Sequence, residues 1–271
     1  MNTARLRSRV LSTAIQVAAL AAFGTYWWWA TRADGSSRLV VPRPADVWSE
    51  FVTLMTTGST FDVVRVTAGE FVTAMVISIT VGLSVGCVVG SVPYLRALIE
   101  PIVAGLYAVP VVMAFPICVL IFGIGSGSKI AFATLTAVFP ILIHVIRGVA
   151  GVDPGLVRVA RSLGAGPFQQ LVRVRARAAL PTIATGIRIS VVLCYLAVVA
   201  GEMLNGNQGI GRKIAESMEI FRSARGFAWI AVAVLLAVAL GAMAAVPGKV
   251  IAHRQREPRT TSAAAGHGPG Q

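Results

Sequence analysis

The chain has 271 residues, of which 56% are hydrophobic and only 13% charged, with a mean hydropathy of +0.76 and a formal net charge of +13. Soluble domains average about 25% charged residues, so this composition excludes an ordinary water-soluble enzyme or binding module and points to an integral membrane protein. The cation excess reads as membrane topology and attraction to anionic lipid, and no basic module with interleaved aromatic residues supports nucleic-acid binding.

Six apolar runs approach the roughly 20 residues that cross about 30 Å of hydrocarbon as a helix. The first, Leu11 to Ala30, follows Arg5, Arg7 and Arg9 and ends on Tyr26 to Trp29. It is longer than a signal-peptide core, and its aromatic end suits an interfacial belt, so it reads as a retained first helix. The second run, Phe71 to Val92, carries Gly82, Gly86 and Gly90 at every fourth position. That strip suits close helix packing, within the chain more than between subunits.

The third run, Leu98 to Phe122, contains Pro110 and Pro116, and the fourth, Ile130 to Ile146, contains Pro140. Each proline removes a backbone donor and opens the local hydrogen-bond ladder. Broken helices at membrane depth often line transport pathways, which makes this region the candidate pathway. His144, alone on an apolar helix, reads as a packed and hydrogen-bonded side chain with no assigned role.

Between the fourth and fifth runs lies DPGLVRVARSLGAGPFQQLVRVRARAALP, from Asp153 to Pro181. Arg158, Arg161, Arg173, Arg175 and Arg177 would each cost about 2.5–3.5 kcal/mol at the bilayer centre, which keeps this segment out of the hydrocarbon. Its pattern is still helical, because Leu156, Val159, Ala160 and Leu163 fall on one stripe with Arg158 and Arg161 beside it. Asp153 is placed to cap the helix with Pro154 at its first position, and Gly164 to end it. Gly166 and Pro167 restart the chain, and Phe168, Leu171 and Val172 form a second short stripe. The expected arrangement is helix, hinge, helix: a docking surface rather than a span.

The fifth run, Thr182 to Ala200, carries Arg188 near one end, placed to snorkel to the interface, and is followed by Glu202. Glu202 reads either as a contributor to a gate or as a solvated helix-end carboxylate. The sixth run is Phe227 to Val246, and the polar tail from His253 reads as disordered. With the N-terminus inside, the inner segments hold fourteen Lys and Arg and the outer segments nine, which puts both termini and the docking segment in the cytoplasm.

Cys87, Cys118 and Cys194 lie inside apolar runs without metal-ligand spacing and read as small buried hydrophobes. GNQGIGRKI at 206–214 has Arg212 where a phosphate-binding loop needs lysine, and no preceding strand. No nucleophile, acid–base or metal constellation is legible, so the chain is expected to hold no catalytic site, metal or cofactor of its own.

Several blocks in fixed order carry a family resemblance: VPRPADVW at 41–48, FGIGSGSKI at 122–130, FPILI at 139–143, GVDPGLVRVARSLGAG at 151–166, GIRIS at 186–190 and AGEMLNGNQGIG at 200–211. From Val41 to about Ile214 the chain resembles the permease subunit of bacterial ABC importers of the nitrate, sulfonate, taurine and bicarbonate type. The resemblance implies an all-α membrane protein with six transmembrane helices and the type I ABC importer permease fold, in the bacterial inner membrane. It implies division into an N-terminal tail, first helix and periplasmic segment (1–62), an importer transmembrane domain (63–250) with its coupling loop at 153–177, and a disordered tail (251–271).

In such permeases the loop corresponding to 153–177 forms a coupling helix that sits in a groove of a separate ATPase. The resemblance carries that role to Ala160, Leu163, Gly164, Ala165 and Phe168, and to Arg158, which stands where the family commonly has glutamate. Ala176 and Arg177 replace a first Leu-Pro pair, and only Leu180 and Pro181 keep the second. The implied partners are cytoplasmic ABC ATPases that use ATP and Mg, a periplasmic or lipid-anchored binding protein, a second permease copy and membrane lipid. Pro110, Pro116 and Glu202 are the candidate pathway residues. The competing class, an ATP-independent secondary transporter or channel, predicts an inverted repeat and intramembrane relay carboxylates, neither of which stands out.

Overall fold

The structure, a computed structural model, describes residues 2–31 and 41–255. The described chain is helical, without strands: α1 (Asn2–Ala30), α2 (Pro44–Thr56), α3 (Ser59–Ser91), α4 (Pro93–Ala108), a 3₁₀ turn (Val111–Ala114), α5 (Phe115–Phe122), α6 (Ser126–Ala150), α7 (Pro154–Ser162), α8 (Pro167–Gln169), a π-helical stretch (Gln170–Arg175), α9 (Ala176–Asn205), α10 (Ile210–Glu219) and α11 (Ser223–Gln255). Proline punctuates it. α2, α4, α5, α7 and α8 each carry Pro at the first or second helical position, where the missing N–H has no intrahelical partner to lose.

Among the described residues, four helices are long and apolar enough to cross a membrane: Ser59–Ser91, Ser126–Ala150, the continuous helix Pro167–Asn205, and Ser223–Ala245. Six continuous runs were the expectation, and the third is corrected. Pro93–Ala108 and Val111–Phe122 meet at 89°, so Leu98 to Phe122 is a bent pair that makes at most a fifth span. The cause is Pro110, whose ring would clash with the carbonyl one turn back and which forces extended backbone on Val109 (φ −72, ψ 134). Pro116 does not open a ladder as expected, because it lies in the first turn of α5. The first run, Leu11 to Ala30, lies within α1, which is not among the four. The tail expected to be disordered from residue 251 begins as helix, since α11 continues to Gln255; the remainder lies outside the described residues.

The chain divides into two compact units, one of residues up to Ala68 with Glu202–Leu236, the other of Gly69–Gly201 with residues from Ala237. In the second unit α3 and α6 pack through the glycine strip. A Cβ at Gly82 would lie 2.6 Å from Ile141 Cγ2, one at Gly86 2.7 Å from Val145 Cβ, and one at Gly90 2.8 Å from the Ile146 carbonyl oxygen. The strip is therefore an intrachain seam, as its spacing suggested. Val89, Val103, Leu142 and Ile146 form a buried cluster beside it. Hydroxyls stitch neighbouring helices: Ser78 Oγ donates to the Thr134 carbonyl (3.2 Å) and Ser190 Oγ to the Ala137 carbonyl (2.8 Å). His144 donates through Nδ1 to the Pro140 carbonyl (2.8 Å) and packs where a Cβ on Gly186 would touch it, which is the structural role expected of it.

Candidate functional site

The segment expected to dock a partner folds as a capped hairpin with apolar side chains exposed. Asp153 Oδ1 accepts the Gly155 N–H at 2.8 Å, capping α7. At the other end Gly164 takes φ +79, the Gly164 N–H donates to the Arg161 carbonyl and the Ala165 N–H to the Ala160 carbonyl, both at 3.0 Å. This is a Schellman closure, in which the left-handed position is cheapest as glycine. Val157 is the buried residue of α7 and anchors it, whereas Leu156, Val159 and Leu163 are 51%, 61% and 82% exposed. Phe168 is 76% exposed, Arg158 is also exposed, and Ala160 and Ala165 are half-buried. Of the six residues singled out from sequence, Arg158 and Ala160 lie in α7, Leu163, Gly164 and Ala165 in the turn that closes it, and Phe168 in the first turn of the helix that follows.

A second support was not legible in the sequence. Gln170 is buried, and its side-chain amide donates to the Ala165 carbonyl at 2.7 Å, pinning the hinge to the helix that follows. That helix starts at Pro167 and continues without interruption to Asn205. The second short piece of the expected hairpin is therefore the first turns of a membrane helix. The π-helical stretch Gln170–Arg175 marks the join, and such irregularities concentrate at functional sites.

The bend between α4 and α5 forms part of a cavity of about 430 Å³. Pro110 lines it with Tyr107, Phe132, Thr136, Leu193 and Ala197. Pro140 removes the N–H that the Thr136 carbonyl would accept in an unbroken helix, and Thr136 lines the same cavity as Pro110. Pro116 is not on that wall, and Glu202 belongs to the other unit.

Glu202 is fully buried, which overturns the reading of a solvated helix-end carboxylate. Its Oε1 accepts the Thr67 hydroxyl (2.8 Å) and its Oε2 the Gly211 N–H (2.7 Å), while Thr67 Oγ1 accepts the Ile210 N–H (3.0 Å). One carboxylate and one hydroxyl thereby satisfy the first N–H groups of α10, and its negative charge faces the positive end of that helix. Gly209 (φ +105) has no room for a Cβ, which would run into the Glu202 carboxylate.

A buried ion pair in the second unit escaped sequence reasoning. Lys129 Nζ pairs with Glu70 Oε1, with the side chains only 3% and 4% exposed, and Glu70 Oε2 has no hydrogen-bond partner. Gly201 leaves the space that Lys129 and Phe115 occupy, since a Cβ there would lie 3.3 Å from each. The residues are 59 apart in sequence and each falls at the edge of an apolar run, so hydropathy assigned both to solvated outer segments. No group of three or more metal-ligating side chains occurs among the described residues.

The chain is 30% identical over 72% of its length to the aliphatic sulfonates transport permease protein SsuC of Bacillus subtilis (strain 168), covering 70% of that protein. It is 29% identical over 83% of its length to the taurine transport system permease protein TauC of Escherichia coli (strain K12), covering 84% of it. Its fold is similar to that of a chain of the MetNI methionine ABC transporter, solved in inward facing conformations, with a TM-score of 0.62 at 18% identity over 72% of this chain and 99% of that one. The model of the family described as binding-protein-dependent transport system inner membrane component matches residues 78–256, a stretch holding the bent pair, the capped hairpin and the helix that carries it into the bilayer. The chain therefore belongs to that family of ABC importer permeases, as a multi-pass membrane protein with an all-α fold.

Proposed function

We propose that the chain forms the solute pathway of an ATP-driven importer for small sulfonates such as taurine, and that the segment 153–177 is where cytoplasmic ATPases dock. The relatives named for aliphatic sulfonate and taurine transport support the substrate class. The observation that carries the docking role is the outward apolar face of α7, held on a doubly capped hairpin continuous with a membrane helix. Exposed Leu156, Val159, Leu163 and Phe168, ringed by Arg158 and Arg161, suit a groove with an apolar floor and an acidic rim. Ala160, Gly164 and Ala165 keep the turn narrow enough to enter it.

In this reading ATP-driven closure of two ATPases displaces the hairpins, and the helix Pro167–Asn205 transmits the displacement. A second copy of the chain completes the pathway, whose wall includes the cavity at Pro110. Both termini and the hairpin are cytoplasmic, and residues 63–250 form the transport domain. ATP and Mg belong to the ATPase, and the permease has no catalytic site. A periplasmic or lipid-anchored binding protein delivers the solute to the outer segments. Glu202 acts there as a positioning residue, holding α10 to α9 rather than touching solute.

The test is uptake by proteoliposomes containing the permease, its ATPase and its binding protein. Taurine or an alkylsulfonate accumulates only with ATP on the ATPase side. Accumulation driven by an ion gradient without ATP would establish a secondary transporter instead.

A further inference from the structure

A groove of about 730 Å³ separates the last turn of α3 from the hairpin. Its walls have two chemistries. Val88, 52% exposed, comes from the last turn of the membrane-spanning α3 and Val92, 41% exposed, immediately follows that helix, while Phe168 and Leu171 line the groove from the hairpin side. Arg161 and Arg175 supply two guanidinium groups, and among the described residues no carboxylate lines the groove. Arg175 spends one N–H on the Ser91 carbonyl, at 3.4 Å, which leaves its other donors uncommitted to that contact. The wall is fixed in place, because Gln170 is buried and bonded to the Ala165 carbonyl.

We infer that this groove binds one anionic phospholipid, with the phosphate on Arg161 and Arg175 and the start of an acyl chain along Val88 and Val92. Two cations lining one groove, with no carboxylate of the described residues beside them, select an anion, and guanidinium is matched to phosphate oxygens. The apolar wall selects an amphiphile over a free anion. Its position at the end of a span puts the groove at the level where headgroup meets hydrocarbon, the setting in which basic pockets between membrane helices hold anionic headgroups. The volume accommodates a headgroup and a few methylenes rather than a whole lipid, so the chains extend into the bilayer. A soluble ATPase does not reach the Val88 and Val92 wall without entering hydrocarbon.

The inference does not depend on ATPase docking, although Arg161, Ala165 and Phe168 belong to both surfaces. A lipid wedged behind the hairpin would hold it at a set distance from α3. Coupling would then respond to the anionic lipid content of the membrane.

Native mass spectrometry of the purified full-length chain tests it with phosphatidylglycerol and phosphatidylcholine as probes. The expected result is retention of one phosphatidylglycerol and loss of phosphatidylcholine under the same activation. Arg161→Gln and Arg175→Gln each lower retention about fivefold, whereas Arg177→Gln, outside the groove, leaves it unchanged. Equal retention of the two lipids by the unsubstituted chain overturns the inference and needs no variant to fold. So does full retention in the double variant. Displacement by soluble sn-glycerol 3-phosphate would mark a small-anion site, and displacement by the ATPase alone would mark a protein contact; either result also overturns it.

Discussion

Lys129 and Glu70 show how little a single residue's neighbourhood in sequence says about its environment. Each ends an apolar run and reads as a solvated charge, yet the two are buried against one another. Removing one partner strands the other charge, so Lys129→Met is expected to destabilise the protein by about 3–5 kcal/mol, while Lys129→Met with Glu70→Gln recovers most of the loss. Thermal unfolding in detergent across this double-mutant cycle checks it, and additive losses would mean the pair does not interact. Glu202 is a similar case, since its partner Thr67 lies 135 residues away and no local pattern reveals it. Glu202→Ala leaves the buried Gly211 N–H without its acceptor and the Thr67 hydroxyl with only the Val63 carbonyl at 3.4 Å, and should cost about 1–3 kcal/mol. Faster proteolysis at 206–209 should accompany the lower unfolding temperature.

At the scale of elements, the docking segment was the most legible part of the chain because its determinants are local. Asp153 as cap, Pro154 at the first position and Gly164 as the left-handed terminator act within a few residues of one another, and all three stand where expected. The continuation of Pro167–Gln169 into α9 was hidden, because Arg173, Arg175 and Arg177 read as a boundary while the helix continues through them, with a π-helical stretch over Gln170–Arg175. The prolines announced a disturbance in the third run but not its size: Pro110 turns the chain by 89°, whereas Pro116 merely starts the next helix. The glycine strip was legible from spacing, and its partner helix was not. Gly86→Leu forces side-chain atoms into Val145 and should cost about 1–3 kcal/mol by overpacking, read as a lower unfolding temperature, with Gly24→Leu, which meets no neighbour, as the neutral comparison.

For the whole molecule, composition settled the membrane class, and the order of separated blocks pointed to the family that the comparisons establish. Hydropathy counts overstate straight spans, because an apolar run satisfies the same average whether it crosses the bilayer or folds back at a proline. The central claim is that the outward face of α7 passes the ATPase's motion to the membrane helices. ATP-dependent uptake by proteoliposomes of the assembled transporter tests it with Val159→Asp and Leu163→Asp, at exposed positions where folding should change by no more than about 0.5 kcal/mol. The account predicts that both variants insert and unfold like the parent, no longer retain the ATPase on purification, and lose uptake. Parental uptake in an inserted Val159→Asp, Leu163→Asp double variant would contradict it.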